Sequence, residues 1–413
     1  MLFFELLQVA IGNRKMLTHT PTAEEWSELY TLAQRQTLVG IAFRGIEQLP
    51  ELQRPPKQLL MQWYMATERI KALNADLDRK ALAVANKFLE EGFVSLVLKG
   101  QGISKLYILR DNDNVNENIN QSSGREKLTS ASTLGVCRTP GDIDIWLHGA
   151  RKDILKYVRR HVPDCKPVYH HVDFPVVDGL DIEVHFTPSW MNSPVTNHRL
   201  QRFFKGYGLR VKSCGAAVNR DCVAGEGLRV NRTEGTLTSS EATINRSVAA
   251  FTHYSEIPSP NLAFNRVYIL VHIYRHLFHE GIGLRQLLDY YFVLYQGFTE
   301  EERAETMRTL RSLKMQRFTA AVMWVLQEVY GMDDRYLLTT PDEREGRFLL
   351  NEIMLAGNFG QYDERLQHER GEKALHWALR KIKRNFRFVR SYPSEVLWSP
   401  LFKLWHYFWR KII

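Results

Sequence analysis

The run GDIDIWL at positions 141–147 places two carboxylates at i and i+2 within an alternating stretch. Side chains alternate across a strand, so Asp142, Asp144 and Trp146 share one face, while Ile143, Ile145 and Leu147 take the other and point toward a core. At ~3.3 Å per residue the two acidic backbones lie ~7 Å apart, and their oxygens can converge on two divalent ions ~4 Å apart. The run LDIEVHF at 180–186 repeats the pattern. There Asp181, Glu183 and His185 stand opposite Leu180, Ile182, Val184 and Phe186. If the two strands are neighbours, Glu183 supplies a third carboxylate. Three clustered carboxylates repel one another unless a metal neutralises them. Hard oxygen donors select Mg2+ or Mn2+ over zinc. The same alternation also suits the solvent face of an edge strand, so the acidic pair alone leaves both readings open.

A third segment favours the site. VSLVLKG at 94–100 is a short apolar strand ending in Lys99-Gly100, and QGISKLYILR resumes helical spacing. A glycine at a strand-to-helix turn lets backbone amides approach a phosphate, and the following helix N-terminus favours an anion. Lys99 adds a positive charge at the same point.

These runs need a scaffold. Residues 1–92 read as helical, with leucines and alanines at helical spacing, a capping box from Thr22 and Glu25, and a break at Pro55-Pro56. Residues 93–204 read as strand, helix, loop, strand, helix and hairpin. Asp178-Gly179 between apolar runs is the hairpin signal. The Asn-rich stretch within 111–135 and the Gly/Ser/Thr-rich 205–250 lack the apolar content for a core and are expected to be mobile. From 251 to 413 the chain reads as helical again. The expected fold is α+β, a small mixed sheet with helices, flanked by helical units.

The order of strand, Lys99-Gly100, Tyr107, Arg138, Asp142-Ile143-Asp144 and Glu183-Val184-His185 resembles the polymerase-beta-type nucleotidyltransferase superfamily. Within it, the order is most similar to an uncharacterised bacterial group of nucleotidyltransferase family proteins. The resemblance implies a metal-dependent enzyme that moves an NMP from an NTP, ATP among the candidates, to an unknown acceptor with release of pyrophosphate. It implies Asp142, Asp144 and Glu183 as catalytic metal ligands for Mg2+ or Mn2+, with Lys99, Gly100 and Arg138 on the nucleotide. The acceptor can be RNA, protein, a sugar or a small molecule. The rival reading is a non-catalytic nucleotide-binding or regulatory module that kept the fold. Lys-Gly stands where the superfamily has Gly-Ser or Gly-Gly, and both polar stretches are extra.

Two further constellations are weaker. His272, His276 and His279 share a helix face at i, i+4 and i+7; zinc is conceivable there, but packing explains such histidines more often. Arg285 and Asp289 on the next helix either meet the nucleotide from the helical domain or pair with each other, and the pairing is the preferred reading. The C-terminal stretch is basic and aromatic, with Trp398, Trp405 and Trp409. It suits an anionic surface or RNA, but a terminal helix docked by its aromatic face accounts for it as well.

Composition sets outer bounds. The 413 residues are 44% hydrophobic and 24% charged with net charge +9, which favours anionic partners without choosing among them. The four cysteines form no CxxC pair and read as free thiols in a reducing compartment. The apolar start carries Glu5 and no basic leader, and no run reaches the ~20 apolar residues of a membrane span. A cytoplasmic protein is expected.

Overall fold

A computed structural model describes residues 1–109, 134–175, 177, 180–213, 223–224, 253–366 and 374–412. The chain opens with helices α1 (Leu2–Ala10), α2 (Ala23–Arg35), α3 (Val39–Gln48) and α4 (Lys57–Glu90). The Thr22 hydroxyl accepts from the Glu25 amide at 3.2 Å, and the Glu25 carboxylate accepts from the Thr22 amide at 2.8 Å. This is the expected capping box, and it satisfies two donors that the first turn would otherwise leave unpaired.

Strand β1 (Val94–Val97), the short helix α5 (Gln101–Ser104), β2 (Ile143–His148), α6 (Arg151–His161), β3 (His171–Asp173) and β4 (Ile182–His185) follow. They form a four-stranded mixed sheet in the order β1-β2-β4-β3. β1 runs antiparallel to β2, β2 parallel to β4, and β3 antiparallel to β4. The β3–β4 hairpin matches expectation, although Asp178-Gly179 lies outside the described residues.

The alternation read from the sequence sorts the sheet faces. Ile143, Ile145, Leu147, Ile182 and Val184 pack with Val158 of α6 and Phe88 of α4 in one apolar cluster. On the other face Trp146 stacks on Phe264 and Tyr207, with ring centroids 5.8 and 6.3 Å away.

Among the described residues the rest of the chain is α7 (Pro194–Ser213), a two-stranded ribbon of β5 (Val223–Ala224) and β6 (Ser259–Pro260), and seven further α-helices. These are α8 (Leu262–His279), α9 (Leu284–Tyr295), α10 (Glu300–Ser312), α11 (Gln316–Tyr330), α12 (Glu343–Ala356), α13 (Ala374–Phe386) and α14 (Pro393–Ile412). α7 runs through position 205, where the sequence pattern had placed the start of an insertion. The expected mobile stretches fall mostly on residues outside the description. Leu134 and Gly135, at the edge of the first, are buried in a 3-10 turn.

The helices from both ends of the chain share one apolar core, which holds Phe3 and Leu7 of α1 together with Tyr290 of α9 and Val325 of α11. The sheet is therefore held between that helical body on its polar side and α4 and α6 on its apolar side. Cys137 and Cys165 are free thiols. Among the described residues no helix is long and apolar enough to cross a membrane.

Candidate active site

The register of β2 and β4 decides which acids can meet. Asp144 lies opposite Glu183 in the parallel pair, so both project from the same sheet face. Asp142 stands just before β2 and is partly exposed. β3 adds His171 opposite His185 and Asp173 opposite Glu183.

The charges alternate through this group. The Lys99 ammonium lies 3.2 Å from Asp142 Oδ1 and 3.1 Å from Asp144 Oδ2. His185 Nε2 lies 3.5 Å from Asp144 Oδ1 and 3.3 Å from Glu183 Oε2. His171 Nδ1 reaches Glu183 at 3.1 Å. The expectation that only a metal relieves the carboxylate repulsion therefore needs amending: two side-chain cations, Lys99 and His185, already stand between the acids.

Burial and charge oppose each other at each of these groups. Burial disfavours the Lys99 ammonium, but Asp144 and then Asp142 outweigh it and raise its pKa above the ordinary lysine value. Burial likewise disfavours a charged His185, yet Asp144 and Glu183 push its pKa up to about 9. Burial alone would raise Asp144, but Lys99 and His185 hold it below the usual carboxylate range. Glu183 is lowered too, with burial overcome chiefly by His185. His171 is lowered as well, unlike His185, because burial outweighs the attraction of Glu183.

Three groups among the described residues bring ligand atoms within 4.8 Å of one another: Asp144, Glu183 and His185; His170, His171 and His185; and His171, Asp173 and Glu183. Asp142 belongs to none of them and is tied in through Lys99. Asp144 is 1% exposed, and its Oδ1 has no hydrogen-bond partner. A buried carboxylate oxygen met only by a 3.5 Å ion pair is incompletely satisfied, and this one belongs to a set with the hard-oxygen character that divalent ions take. The donor set fits a divalent ion, with imidazole nitrogen as a further ligand that the sequence reading had not assigned.

Beside Lys99 lies a small cleft with a cavity volume of about 20 Å³, lined among others by Gly100, Arg138, Asp142, His272, Arg285 and Phe359. Gly100 has φ 59° and ψ −112°, a conformation side chains resist, and it starts α5. Gly102 admits no side chain either, since a Cβ there would lie 2.2 Å from the Val97 carbonyl.

Arg138 is held by a bidentate pair, Nε and Nη2 donating to Asp289 at 2.6 and 2.7 Å. The Tyr107 hydroxyl donates to the same carboxylate, and its ring stacks on Phe292. The Tyr and Arg of the motif thus join the sheet to α9. Arg285 does not pair with Asp289 as expected: its Nη1 donates to the carbonyls of Thr139 and Pro140 at 2.7 and 3.2 Å. It therefore clasps the segment leading into Asp142. Its Nε is buried without a partner, and burial followed by Arg138 pushes its pKa down to about 10.

The three helix histidines do not assemble as a metal site. His276 pairs with Glu280 at 3.3 Å, His279 packs edge-on to Trp190, and none of the three is in a metal-capable group of the described residues. The sequence reading missed His171 and ranked a nucleotide role for Arg285 below its pairing with Asp289; both carried only faint signals. The HVD run shows the same alternation as EVH, and Arg285 stands four residues before Asp289.

A family model described as an uncharacterised nucleotidyltransferase matches residues 22–109 and 229–331. The matched segments contain Lys99, Gly100, Tyr107, His272, Arg285 and Asp289, while Arg138, Asp142, Asp144 and Glu183 lie between them. No curated protein and no solved structure matches the chain.

Proposed function

From the premise that this chain matches an uncharacterised nucleotidyltransferase family in two segments, we propose that it transfers an NMP from an NTP to an acceptor and releases pyrophosphate. The observation that carries this reading is the in-register pair of Asp144 and Glu183, with a buried carboxylate oxygen that has no hydrogen bond and only a long ion pair to His185, beside Lys99 and a small cleft. Asp142, Asp144 and Glu183 would hold Mg2+ or Mn2+. Such an ion, when bound, lowers the pKa of the acceptor oxygen and neutralises charge on the leaving group.

The chain's own residues do the rest. Lys99, the Gly100 turn and Arg285 meet phosphate oxygens with charge and backbone donors. In the transfer, the acceptor oxygen bonds to the α-phosphorus and the bond to the bridging oxygen breaks. The electron pair leaves with pyrophosphate, and the acceptor proton passes to Glu183, whose carboxylate His171 steadies. Arg138 acts as a positioning residue through Asp289, because both edges of its pairing are already taken.

A second reading has an observation in its favour. Lys99 and His185 already neutralise much of the acidic charge, as a nucleotide-binding module without catalysis could retain. Incubation with α- and γ-labelled NTPs, Mn2+ or Mg2+ and cell extract separates the two. The enzyme reading expects α-label on an acceptor and pyrophosphate in solution, both lost in Asp142→Asn and Asp144→Asn. Metal-dependent NTP binding with neither product favours the module.

A further inference from the structure

Leu397, Leu401, Leu404 and Phe408 on α14 are 54–60% exposed. Their spacing of four, three and four residues keeps them on one stripe of the helix. The opposite side is occupied. Phe402 stacks on Trp190 and lies edge-on to Tyr169, Arg151 sits 4.6 Å over the Trp409 ring, and Glu395 and Val396 are buried. Docking on the sheet domain therefore explains one face of this helix and leaves an apolar face open.

α13 repeats the arrangement. Leu379, Ile382 and Phe386 are exposed, while Arg384 and Asn385 turn inward to the carbonyls of Leu277 and Phe278. Single exposed leucines are ordinary, but an exposed apolar stripe on each of two helices in contact is the kind of feature that marks an interaction surface.

The charge identifies the occupant. Residues 374–413 hold nine Lys or Arg against one acid, the buried Glu395, a net +8 of the chain's +9. Lys383, Arg390, Lys403, Arg410 and Lys411 are exposed around the stripes. We infer that the α13–α14 face docks on the surface of an anionic lipid bilayer, its leucine and phenylalanine stripes entering the headgroup boundary and its basic side chains meeting the phosphates. A second copy of the chain would set two such basic faces against each other. Nucleic acid would meet the charge and could stack on the exposed aromatics, but it has no use for the leucines and Ile382 that make up most of both stripes. An anionic leaflet accepts both features. The helices lie on the surface and do not cross it, as no described helix is long and apolar enough to span.

Vesicle flotation of the full chain tests this without any nucleotide. The protein is expected to float with phosphatidylcholine vesicles containing phosphatidylglycerol and to stay behind with phosphatidylcholine alone. Salt at ~1 M, with a Debye length of ~3 Å, should weaken the binding. The combined L401E, L404E and F408E substitutions should lower vesicle partition on the order of 100-fold with the melting temperature unchanged. K403E with K411E should weaken the dependence on the anionic lipid. The inference is overturned by absence of flotation, by flotation that the triple substitution leaves intact, by a solution dimer that the same substitution dissolves without any flotation, or by RNA binding in place of vesicle binding.

Discussion

Around Asp289 the buried charges are closed on one another: a bidentate arginine, a tyrosine hydroxyl, and no open oxygen. Around Asp144, behind the cleft-lining Lys99, the charges alternate but the set stays open. Asp144 Oδ1 and both ring nitrogens of His185 lack hydrogen-bond partners although both residues are buried. Both networks contain buried ions that burial penalises. The first meets that cost with geometry and so serves as scaffold, fastening the sheet domain to α9. The second meets it only by approximate charge contacts of 3.1–3.5 Å, which leaves coordination for something else. The difference shows that buried charge alone does not mark a site; unfinished satisfaction does.

The largest expected effect tests the closed network. Arg138→Ala leaves Asp289 buried and uncompensated, and the loss of folding stability should be ~3–5 kcal/mol. Replacing both partners, Arg138→Met with Asp289→Leu, should recover much of it, because no charge is then stranded. Urea denaturation of the three proteins measures this. A single-substitution loss under ~1 kcal/mol would place the Arg138 pair outside the scaffold.

The open network should respond in the opposite way. Asp144→Asn removes attractions to Lys99 and His185, so the unliganded protein should lose a little stability, about 1 kcal/mol, despite the relief of like-charge repulsion. The change should appear with ligand instead. NTP with Mg2+ at ~100 times its dissociation constant adds ~2.7 kcal/mol to the wild type, and the variant should lose most of that shift. Equal thermal shifts in the two proteins would remove Asp144 from the proposed ligand set.

Lys99 is the cation that stands in for a metal between Asp142 and Asp144. Lys99→Met should strengthen binding of Mn2+ alone about tenfold, ~1.4 kcal/mol, while weakening the response to NTP. Calorimetric titration with Mn2+ in the absence of nucleotide reads the first effect. Weaker Mn2+ binding in the variant would show that Lys99 organises the acids and does not compete with an ion.

Much of the contrast between the networks was legible in the sequence, and the limits have physical causes. Period-two alternation gave the sheet faces and brought Asp144 and Glu183 to one side, because strand geometry ties facing to sequence parity. The Thr22–Glu25 cap was legible for the same reason, being local. The neutralising role of Lys99 and His185 was not, since it depends on side chains 43 and 41 residues from Asp142 and Asp144, brought close only by strand pairing. Arg285 was misassigned because spacing on one helix offers Asp289 as its neighbour, and nothing local reveals that Arg138 has already claimed that carboxylate. The leucine stripe of α14 was hidden by the helix being apolar on two sides, which blurs its pattern.

Arg285 stands between the two networks and gives the smallest and most discriminating effect. It is buried and lies beside Arg138, yet among the described residues it makes no ion pair and donates to the carbonyls of Thr139 and Pro140. Arg285→Met removes an unpaired buried cation, which relieves desolvation, but strands two carbonyls, which costs about as much. The two contributions oppose, so folding stability should move by no more than ~1 kcal/mol, far less than in Arg138→Ala. If Arg285 belongs with the open network, the same substitution should still reduce the thermal shift produced by NTP with Mg2+, because a phosphate-facing charge is gone. Arg285→Lys should keep part of that shift, as a lysine can meet a phosphate as a point charge but not as a fork. A variant that unfolds as readily as Arg138→Ala would assign Arg285 to the scaffold. A variant with normal stability and a normal nucleotide response would assign it to neither network.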